Sequence, residues 1–164
     1  MLSDSRLMGE SPGGSTDTSL TSSPLENTNV YPVPLELLDH FWGRVAPLLQ
    51  KAIERGAGEL ELGDVYQRLQ DRHMQLLVAV EGPTILAAFV TEVVQYPRKR
   101  ALRVVLAGGT GAKKWKGALR VMLHTGARAV GAKSLEVLGR PGWVRFLRDL
   151  PTVKLKYHVL VEDI

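Results

Sequence analysis

The sequence contains no cysteine, which excludes disulfide bonds and thiolate metal sites. It has no apolar run of the roughly 20 residues that a membrane-spanning helix needs, and its N-terminus lacks the basic-then-apolar pattern of a secretory signal. Its four histidines are scattered and give no metal-ligand pattern. At 164 residues the chain is long enough for one domain with a substantial core. These features predict a soluble protein that works or is assembled inside a cell, without a metal ion or a membrane partner.

Acidic residues are absent from one long central segment, residues 93–133. This segment holds ten basic residues, in a chain whose net charge is only +4. Such a block indicates an anionic partner: a nucleotide-bearing cofactor, nucleic acid or an acidic protein surface. The alternative is an ordinary solvated face. The ten residues are Arg98, Lys99, Arg100, Arg103, Lys113, Lys114, Lys116, Arg120, Arg128 and Lys133.

Residues 1–29 are rich in Ser, Thr and Gly and contain no aromatic residue. Such a segment cannot bury enough apolar surface to offset the entropy lost on ordering. A tail that orders only on assembly is a common way for a small protein to bind a large surface. We therefore interpret residues 1–29 as an extended tail that contacts other proteins, and residues 30–164 as the folded domain.

The domain reads as alternating helical and strand patterns that predict an α/β fold. Three consecutive strands predict an antiparallel meander, and the strand-helix-strand order after it predicts a crossover to parallel strands. The expected fold is a mixed sheet flanked by about four helices, the first of which Pro47 should kink or split. In chain order the predicted elements are a strand at 29–34, helices at 35–53 and 60–73, strands at 74–83, 84–97 and 101–109, a helix ended by Gly131, a strand at 133–140, a helix at 142–150 and a strand at 154–164.

A glycine-rich loop joins the third meander strand to the next helix, in the stretch "RVVLAGGTGAKKW" at residues 103–115. Glycines let a backbone approach phosphate groups, and the amides and dipole of a helix start attract anions. The loop therefore predicts a phosphate cradle; the alternative is a tight turn in which Thr110 caps the helix. The predicted cofactor-binding residues are Gly108, Gly109, Thr110, Gly111, Ala112 and Lys113.

This order of elements resembles the GNAT superfamily of N-acetyltransferases. The family's Q/R-x-x-G-x-G/A loop is similar to Gly109-Thr110-Gly111, although the family's Gln or Arg falls on Leu106 here. The stretches "TEVVQYPRKRALRVVLAGG" and "LEVLGRPGWVRFL" and the helix of Trp115 further resemble small GNAT-like proteins of tailed bacteriophages, over about residues 30–163. The resemblance implies acetyl-CoA as the cofactor, held at its pyrophosphate by the loop amides.

Acetyl transfer from a thioester to an amine needs a base for the ammonium and a proton source for the leaving thiolate. Glu92 lies in an otherwise apolar strand and is the predicted base; the alternative is a structural strand residue. The family often has a Tyr near the sulfur, in the helix that matches residues 142–150, and this helix has no Tyr, Ser or Cys. Tyr96, at the end of the Glu92 strand, is the predicted substitute, with simple packing as its alternative.

Two hypotheses from different classes follow, and fold alone does not decide between them. Leu106 and the 142–150 helix depart from the family pattern. Because the tail at residues 1–29 suits attachment to an assembly, we prefer a bacteriophage virion protein, an internal or head-tail component. Residues 1–29 and the basic face would anchor it to other virion proteins, and it would occupy the host cytoplasm during assembly. The alternative is an active acetyl-CoA-dependent N-acetyltransferase acting on an amine. Assembly as a homo-oligomer and nucleic-acid binding by the basic face stay open.

Overall fold

The structure is a computed structural model that describes residues 28–56, 58–157 and 159–164. A five-stranded sheet runs through it, with its strands in sequential order. The strands are β1 (Thr28–Pro32), β2 (Met74–Glu81), β3 (Thr84–Gln95), β4 (Arg100–Gly109) and β5 (Ser134–Val137). The helices are α1 (Leu38–Ile53), α2 (Leu62–Gln70), α3 (Ala112–Ala129) and α4 (Pro141–Phe146), and a single 3₁₀ turn (Leu35–Leu37) leads into α1.

The strand directions confirm the predicted topology. Strands β1 to β4 form an antiparallel meander, and β5 pairs in parallel with β4 after the crossover through α3. Parallel neighbours require such a crossover, because a tight hairpin can join only antiparallel strands. The fold is α/β, a mixed sheet with four helices.

The two faces of the sheet are covered by different helices, so the core has two layers. Successive residues of a strand point to opposite faces, and the fully buried Phe89 and Val90 accordingly belong to different clusters. Phe89 packs on the side of α3, with its ring 4.8 Å from that of Trp115. Val90 packs on the side of α1 and α2, with Val45 and Val65. Burial on both faces explains why β3 reads as a nearly continuous apolar run.

Two predictions near the N-terminus need correction. Thr28 and Asn29 belong to β1 rather than to the predicted tail, and the rest of that tail, residues 1–27, lies outside the described residues. Helix α1 continues through Pro47 as one helix, so the split is wrong, while the alternative expectation of a kink stays a prediction. Pro47 is exposed, so water can bond the Gly43 carbonyl that the missing proline N–H leaves unpaired.

The predicted strand at residues 154–164 is wrong. The described residues of this segment form no strand, and the preceding helix α4 ends at Phe146, earlier than predicted. A strand pattern becomes a strand only when a neighbouring edge accepts its backbone hydrogen bonds, and here none does within the described chain. Leu155 and Val159 consequently stay exposed. No helix among the described residues combines the length and the apolar character needed to cross a bilayer.

Helix α1 lies unusually close to β4 at Gly108. A Cβ atom added to Gly108 would lie 2.1 Å from the carbonyl oxygen of Leu48 and 2.8 Å from its carbonyl carbon. Both are backbone atoms of α1, so they cannot move aside as a flexible side chain would. Glycine at position 108 is therefore required for α1 to pack against β4.

Replacing Gly108 with alanine should therefore lower the free energy of unfolding by about 3 kcal/mol, at the upper end of overpacking effects. Gly117→Ala is the matched control, because this exposed glycine in α3 has no atom within 4 Å of an added Cβ. It should raise stability by about 0.5–1 kcal/mol through helix propensity. Urea unfolding followed by circular dichroism measures both, and equal shifts for the two variants would contradict the packing argument.

Candidate functional site

Strand β4 has an open edge over its C-terminal half. The ladder between β3 and β4 shifts by one residue at Val105, which has no partner on β3. Strand β5 pairs with β4 only between Ala101 and Val104, whereas β4 continues to Gly109. The edge of β4 from Val105 to Gly109 therefore has no strand neighbour on the β5 side. β-Bulges often occur next to active sites. An unpaired strand edge leaves backbone N–H and C=O groups free to bond a ligand.

The glycines of the loop that follows β4 have different roles. Gly108 is needed for packing against α1, and at Gly109 an added Cβ would lie 2.3 Å from the carbonyl oxygen of Leu86. At both positions a glycine is needed because backbone of a neighbouring element lies close to it, and their binding to a phosphate stays a prediction. Gly111 has a positive φ of 72°, and an added Cβ would meet only side-chain atoms at 3.7 Å or more. Gly111 is therefore required by its left-handed backbone conformation, and not by a close approach of neighbouring backbone.

Two hydrogen bonds fix the loop and leave the first backbone amides of α3 without a partner in the helix. The Thr110 amide donates to the Leu86 carbonyl at 2.9 Å, and the Trp115 indole N–H donates to the Thr110 carbonyl at 2.7 Å. Gly111, and not Thr110, is the N-cap of α3, so the alternative in which Thr110 caps the helix does not hold. The amides of Ala112 and Lys113, the first two helical residues, have no carbonyl within the helix to bond. Together with the helix dipole they make an anion-attracting end.

A basic groove of about 590 Å³ runs along α3 from this end. Spacings of three and four residues place its cationic side chains on one helix face. Lys116 is paired with Asp149 there, whereas Lys114, which lies outside the groove, is paired with Glu81 at 2.8 Å. Lys113 forms no ion pair within the described chain, so it is available to an anion. The basic and titratable residues that line the groove are Lys113, Lys116, Arg120, His124 and Arg128.

A second polar group lies towards the other end of β4 and includes both predicted catalytic residues. Glu92, Arg103 and Glu136 are direct neighbours across β3, β4 and β5. Arg103 donates to Glu92 Oε1 at 3.3 Å, to Glu136 Oε2 at 3.0 Å and to the Tyr96 hydroxyl at 2.9 Å. The three charged side chains are only 15–22% exposed. We call these four residues the Arg103 cluster.

The electrostatics of the cluster favour one arrangement of protons. Burial acts to raise the pKa of Glu136, but hydrogen bonds from Arg103 and Tyr96 outweigh it and hold that pKa below its ordinary value. A hydrogen bond to Glu136, with burial and a contact from Tyr157, raises the pKa of Tyr96. Glu136 is therefore a stable carboxylate and Tyr96 a stable phenol. The Tyr96 hydroxyl donates a hydrogen bond to Glu136 Oε2, at 3.0 Å.

The sequence patterns identified Glu92, Tyr96 and the glycine loop, but missed the residues that hydrogen-bond to Glu92 and Tyr96. Arg103 and Glu136 were not predicted as site residues, although Arg103 belonged to the basic block. The cross-strand register of β3, β4 and β5 is the signal that could have found them, because it makes Glu92, Arg103 and Glu136 neighbours. The basic block also does not form one face, since Arg103 pairs with two carboxylates away from the α3 groove. No group of metal-ligating side chains occurs among the described residues.

Solved structures share this architecture. An aminoglycoside acetyltransferase from an uncultured soil metagenomic sample, solved with sisomicin, superposes with a TM-score of 0.63 at 13% identity, covering 84% of this chain and 97% of that one. The ribosomal-protein-alanine N-acetyltransferase of Brucella melitensis biovar Abortus 2308 superposes at 0.60 with 19% identity, covering 84% and 99%. A probable acetyltransferase gives 0.60 at 14% identity, covering 82% and 99%. The fold is that of the GNAT acetyltransferases.

The structural similarity shows the GNAT fold but does not show the function. No protein-family model and no curated protein sequence matches the chain. At these identities the neighbours share an architecture, and the function has to be argued from the site. The finer resemblance to bacteriophage proteins has no counterpart in the three structures above.

Protonation of Glu136 at acid pH should lower the free energy of unfolding. Because its pKa is lower in the folded than in the unfolded chain, the unfolded chain binds more protons as the pH falls. The contribution of Glu136 is therefore complete above the unfolded pKa of about 4.3 and is lost as the pH falls through the folded value. Glu136→Gln should reduce stability at pH 7, and its difference from the native protein should shrink below about pH 4. A difference that is the same at pH 7 and pH 3, measured by urea unfolding, would contradict this assignment.

Proposed function

We propose that this protein is an acetyl-CoA-dependent N-acetyltransferase that acts on an amine. One observation carries the proposal: β4 has an anion-attracting loop at its C-terminal end, the Arg103 cluster towards its start and an unpaired edge between them. Arg103 and Gly109 are six residues apart on this strand, which corresponds to about 20 Å. A long extended ligand with phosphates at one end and a reactive group at the other would suit such a surface. The acetyltransferases that share the fold support the same reading.

The residues at the loop fit the phosphate end of acetyl-CoA. Gly111 has a left-handed backbone conformation that suits glycine, and the amides of Ala112 and Lys113 point out of the helix start. The Lys113 side chain adds an unpaired positive charge. Gly108 and Gly109 also fix the end of β4 against the backbone of α1 and β3, from which the cradle begins. Leu106, where the family has Gln or Arg, belongs to the core beside α1 and contributes no hydrogen bond to a phosphate.

The Arg103 cluster has the groups that acetyl transfer to an amine requires. Acetyl-CoA supplies an acetyl group activated as a thioester. Glu92 accepts one long hydrogen bond from Arg103, at 3.3 Å, so it is the less committed of the two carboxylates and the better acceptor for a proton from the substrate ammonium. Tyr96 keeps its proton through the neutral range and can donate it where negative charge develops. Arg103 donates hydrogen bonds to both Glu92 and Tyr96 and so fixes their relative positions.

The virion hypothesis has no comparable support. Its main argument was the tail at residues 1–29, and residues 1–27 lie outside the described structure. Its second argument was a continuous basic face, and the basic residues are instead divided between the α3 groove and several ion pairs. The acetyltransferase hypothesis, which was the alternative, is therefore the one that we carry forward.

Acetyl-CoA should raise the melting temperature of the native protein, because a ligand that binds only the folded state stabilises it by mass action. Gly111→Glu should abolish this shift by bringing a side chain and a negative charge into the cradle. Gly131→Glu is the matched control: Gly131 also has a positive φ, at 67°, and lies beyond the far end of α3. It should carry a similar backbone strain and keep the full shift. The absence of any shift with the native protein at millimolar acetyl-CoA would contradict the proposal.

Removing the base should slow the reaction without weakening cofactor binding. Glu92→Gln is close to isosteric and should reduce the rate of acetyl transfer by about 10²-fold or more. The acetyl-CoA-induced rise in melting temperature should persist, because Glu92 and the loop lie at different ends of the site. The assay follows thiol release from acetyl-CoA with a panel of primary amines. If activity fell only in proportion to the folded fraction, Glu92 would be a structural residue.

A further inference from the structure

A second cavity lies on the α1 and α2 side of the sheet, between the start of α1, the end of α2 and the start of β2. Its volume is about 320 Å³, at the lower end of the range for small-molecule sites. The buried residues that line it are apolar, whereas charged and polar side chains line it on the exposed side. The buried ones are Val33, Leu38, Leu69, Met74 and Leu76, and the exposed ones are Pro34, Glu36, Arg72 and Gln75.

Strand β1 leaves the start of β2 without a neighbour at this cavity. The ladder between the two strands ends at Pro32, and one further hydrogen bond joins the Val33 amide to the Leu76 carbonyl at 2.9 Å. No residue of β1 pairs with Met74. Alternate residues of a strand present their backbone groups to the same side, so Met74 presents its N–H and C=O to the side of the Leu76 carbonyl. The cavity therefore has backbone hydrogen-bonding groups beside its apolar lining.

Two opposite charges at the cavity have no partner within the described chain. Glu36 and Arg72 both line the cavity, yet neither forms an ion pair with the other or with any other described residue. Both side chains are exposed, so water solvates them in the free protein. A ligand that carries one charge of each sign would bridge them and form a charge-assisted hydrogen bond with each.

The backbone at Arg72 has a conformation that disfavours arginine. Its φ is 59°, in the left-handed region, and it is the one non-glycine residue with a positive φ among those described. Arg72 directly follows Asp71, the C-cap of α2, where glycine is usual because a Cβ atom is unfavourable in this conformation. Within the described chain the guanidinium makes no ion pair that offsets this cost. The fold alone therefore does not explain an arginine at this position.

We propose that this cavity binds a free amino acid with an apolar side chain of about the size of leucine. The ammonium group of the ligand pairs with Glu36, and its carboxylate pairs with the guanidinium of Arg72. Its side chain enters the apolar part of the cavity, and the Met74 backbone offers these groups a further donor and acceptor. A simple anion or a fully apolar compound would leave one or both charges unpaired, so neither fits the cavity as well.

The bound amino acid is not the acceptor of acetyl transfer. Attack on a thioester needs a neutral amine, and pairing with Glu36 keeps the ammonium group charged. The cavity also lies on the β1 side of β2, whereas the Arg103 cluster extends from β3 to β5. The cavity is therefore a separate ligand site, and it does not depend on the acetyltransferase proposal.

Titration of the nitrogen-15-labelled full-length protein with L-leucine tests the proposal. Amide chemical shifts should change saturably around residues 33–38, 69–72 and 74–76. L-Serine has the same two charges and a polar side chain, so it should bind at least about tenfold more weakly because it leaves the apolar lining uncovered. The absence of saturable changes at millimolar leucine, or changes at the Arg103 cluster instead, would overturn the proposal.

Two blocked analogues distinguish a free amino acid from the end of a peptide. Leucinamide keeps the ammonium group and lacks the carboxylate, as an N-terminal residue does. N-acetyl-leucine keeps the carboxylate and lacks the ammonium group, as a C-terminal residue does. Each should bind about tenfold or more weakly than leucine, since each loses one hydrogen bond to a charged group. Binding of either analogue as tightly as leucine would replace the free amino acid by a peptide end and overturn the proposal.

Arg72→Gly separates leucine binding from folding. Glycine relieves the left-handed backbone, so the variant should unfold at an equal or higher urea concentration than the native protein. It should nevertheless bind leucine about tenfold or more weakly. Arg68→Ala is the matched control, because this exposed arginine lies one turn earlier in α2, does not line the cavity and should be dispensable for binding. Unchanged leucine affinity in Arg72→Gly, or a less stable fold, would show a structural arginine and contradict the assignment.

Discussion

The close approach of α1 to β4 at Gly108 is the constraint on which the rest of the site depends. With the Leu48 carbonyl 2.1 Å from where a Cβ would lie, the helix backbone rests directly on the strand. At the next residue Gly109 does the same for the backbone of β3, through Leu86 and Ala87. The end of β4 is thus fixed from two directions by backbone, which cannot adapt as side chains do. The loop that follows begins from a rigid point, and Trp115 fastens its Thr110 carbonyl to α3.

Arg103 fixes the geometry at the other end of β4, as Gly108 and Gly109 do next to the loop. One guanidinium donates to two carboxylates and a phenol, all of them largely removed from water. Such a partly buried ion pair is weak evidence for stability, because desolvation offsets much of the attraction. Its value lies in geometry: the planar fork of arginine fixes the directions of several acceptors at once. Removing one partner leaves the others with an uncompensated charge, so the group behaves as a unit.

The sequence was sufficient for those parts of the fold that local patterns determine. The apolar runs at residues 74–81 and 84–95, the glycines at 108–111 and the amphipathic face of α3 led to the correct elements and to the mixed sheet. It was insufficient where the outcome depends on a partner distant in the chain. The segment after Val153 has a strand pattern, but nothing local states whether an edge will accept it. Likewise, Glu136 joins Glu92 only through a register that no single stretch encodes.

The glycine loop illustrates the same limit within a few residues. The motif drew attention to the turn before α3, yet two of its glycines are explained by helix and strand packing and Gly111 by its left-handed backbone conformation. A glycine is selected both where protein backbone and where ligand must come near, and the sequence does not distinguish the two. The charges of the neighbouring lysines distinguish between these two roles where the glycines do not. Lys114 and Lys116 are neutralised by Glu81 and Asp149, whereas Lys113, beside Gly111, is not. The unpaired positive charge of Lys113 lies at the same helix start as the free amides of Ala112 and Lys113, and this combination, rather than the motif itself, supports the anion site proposed above.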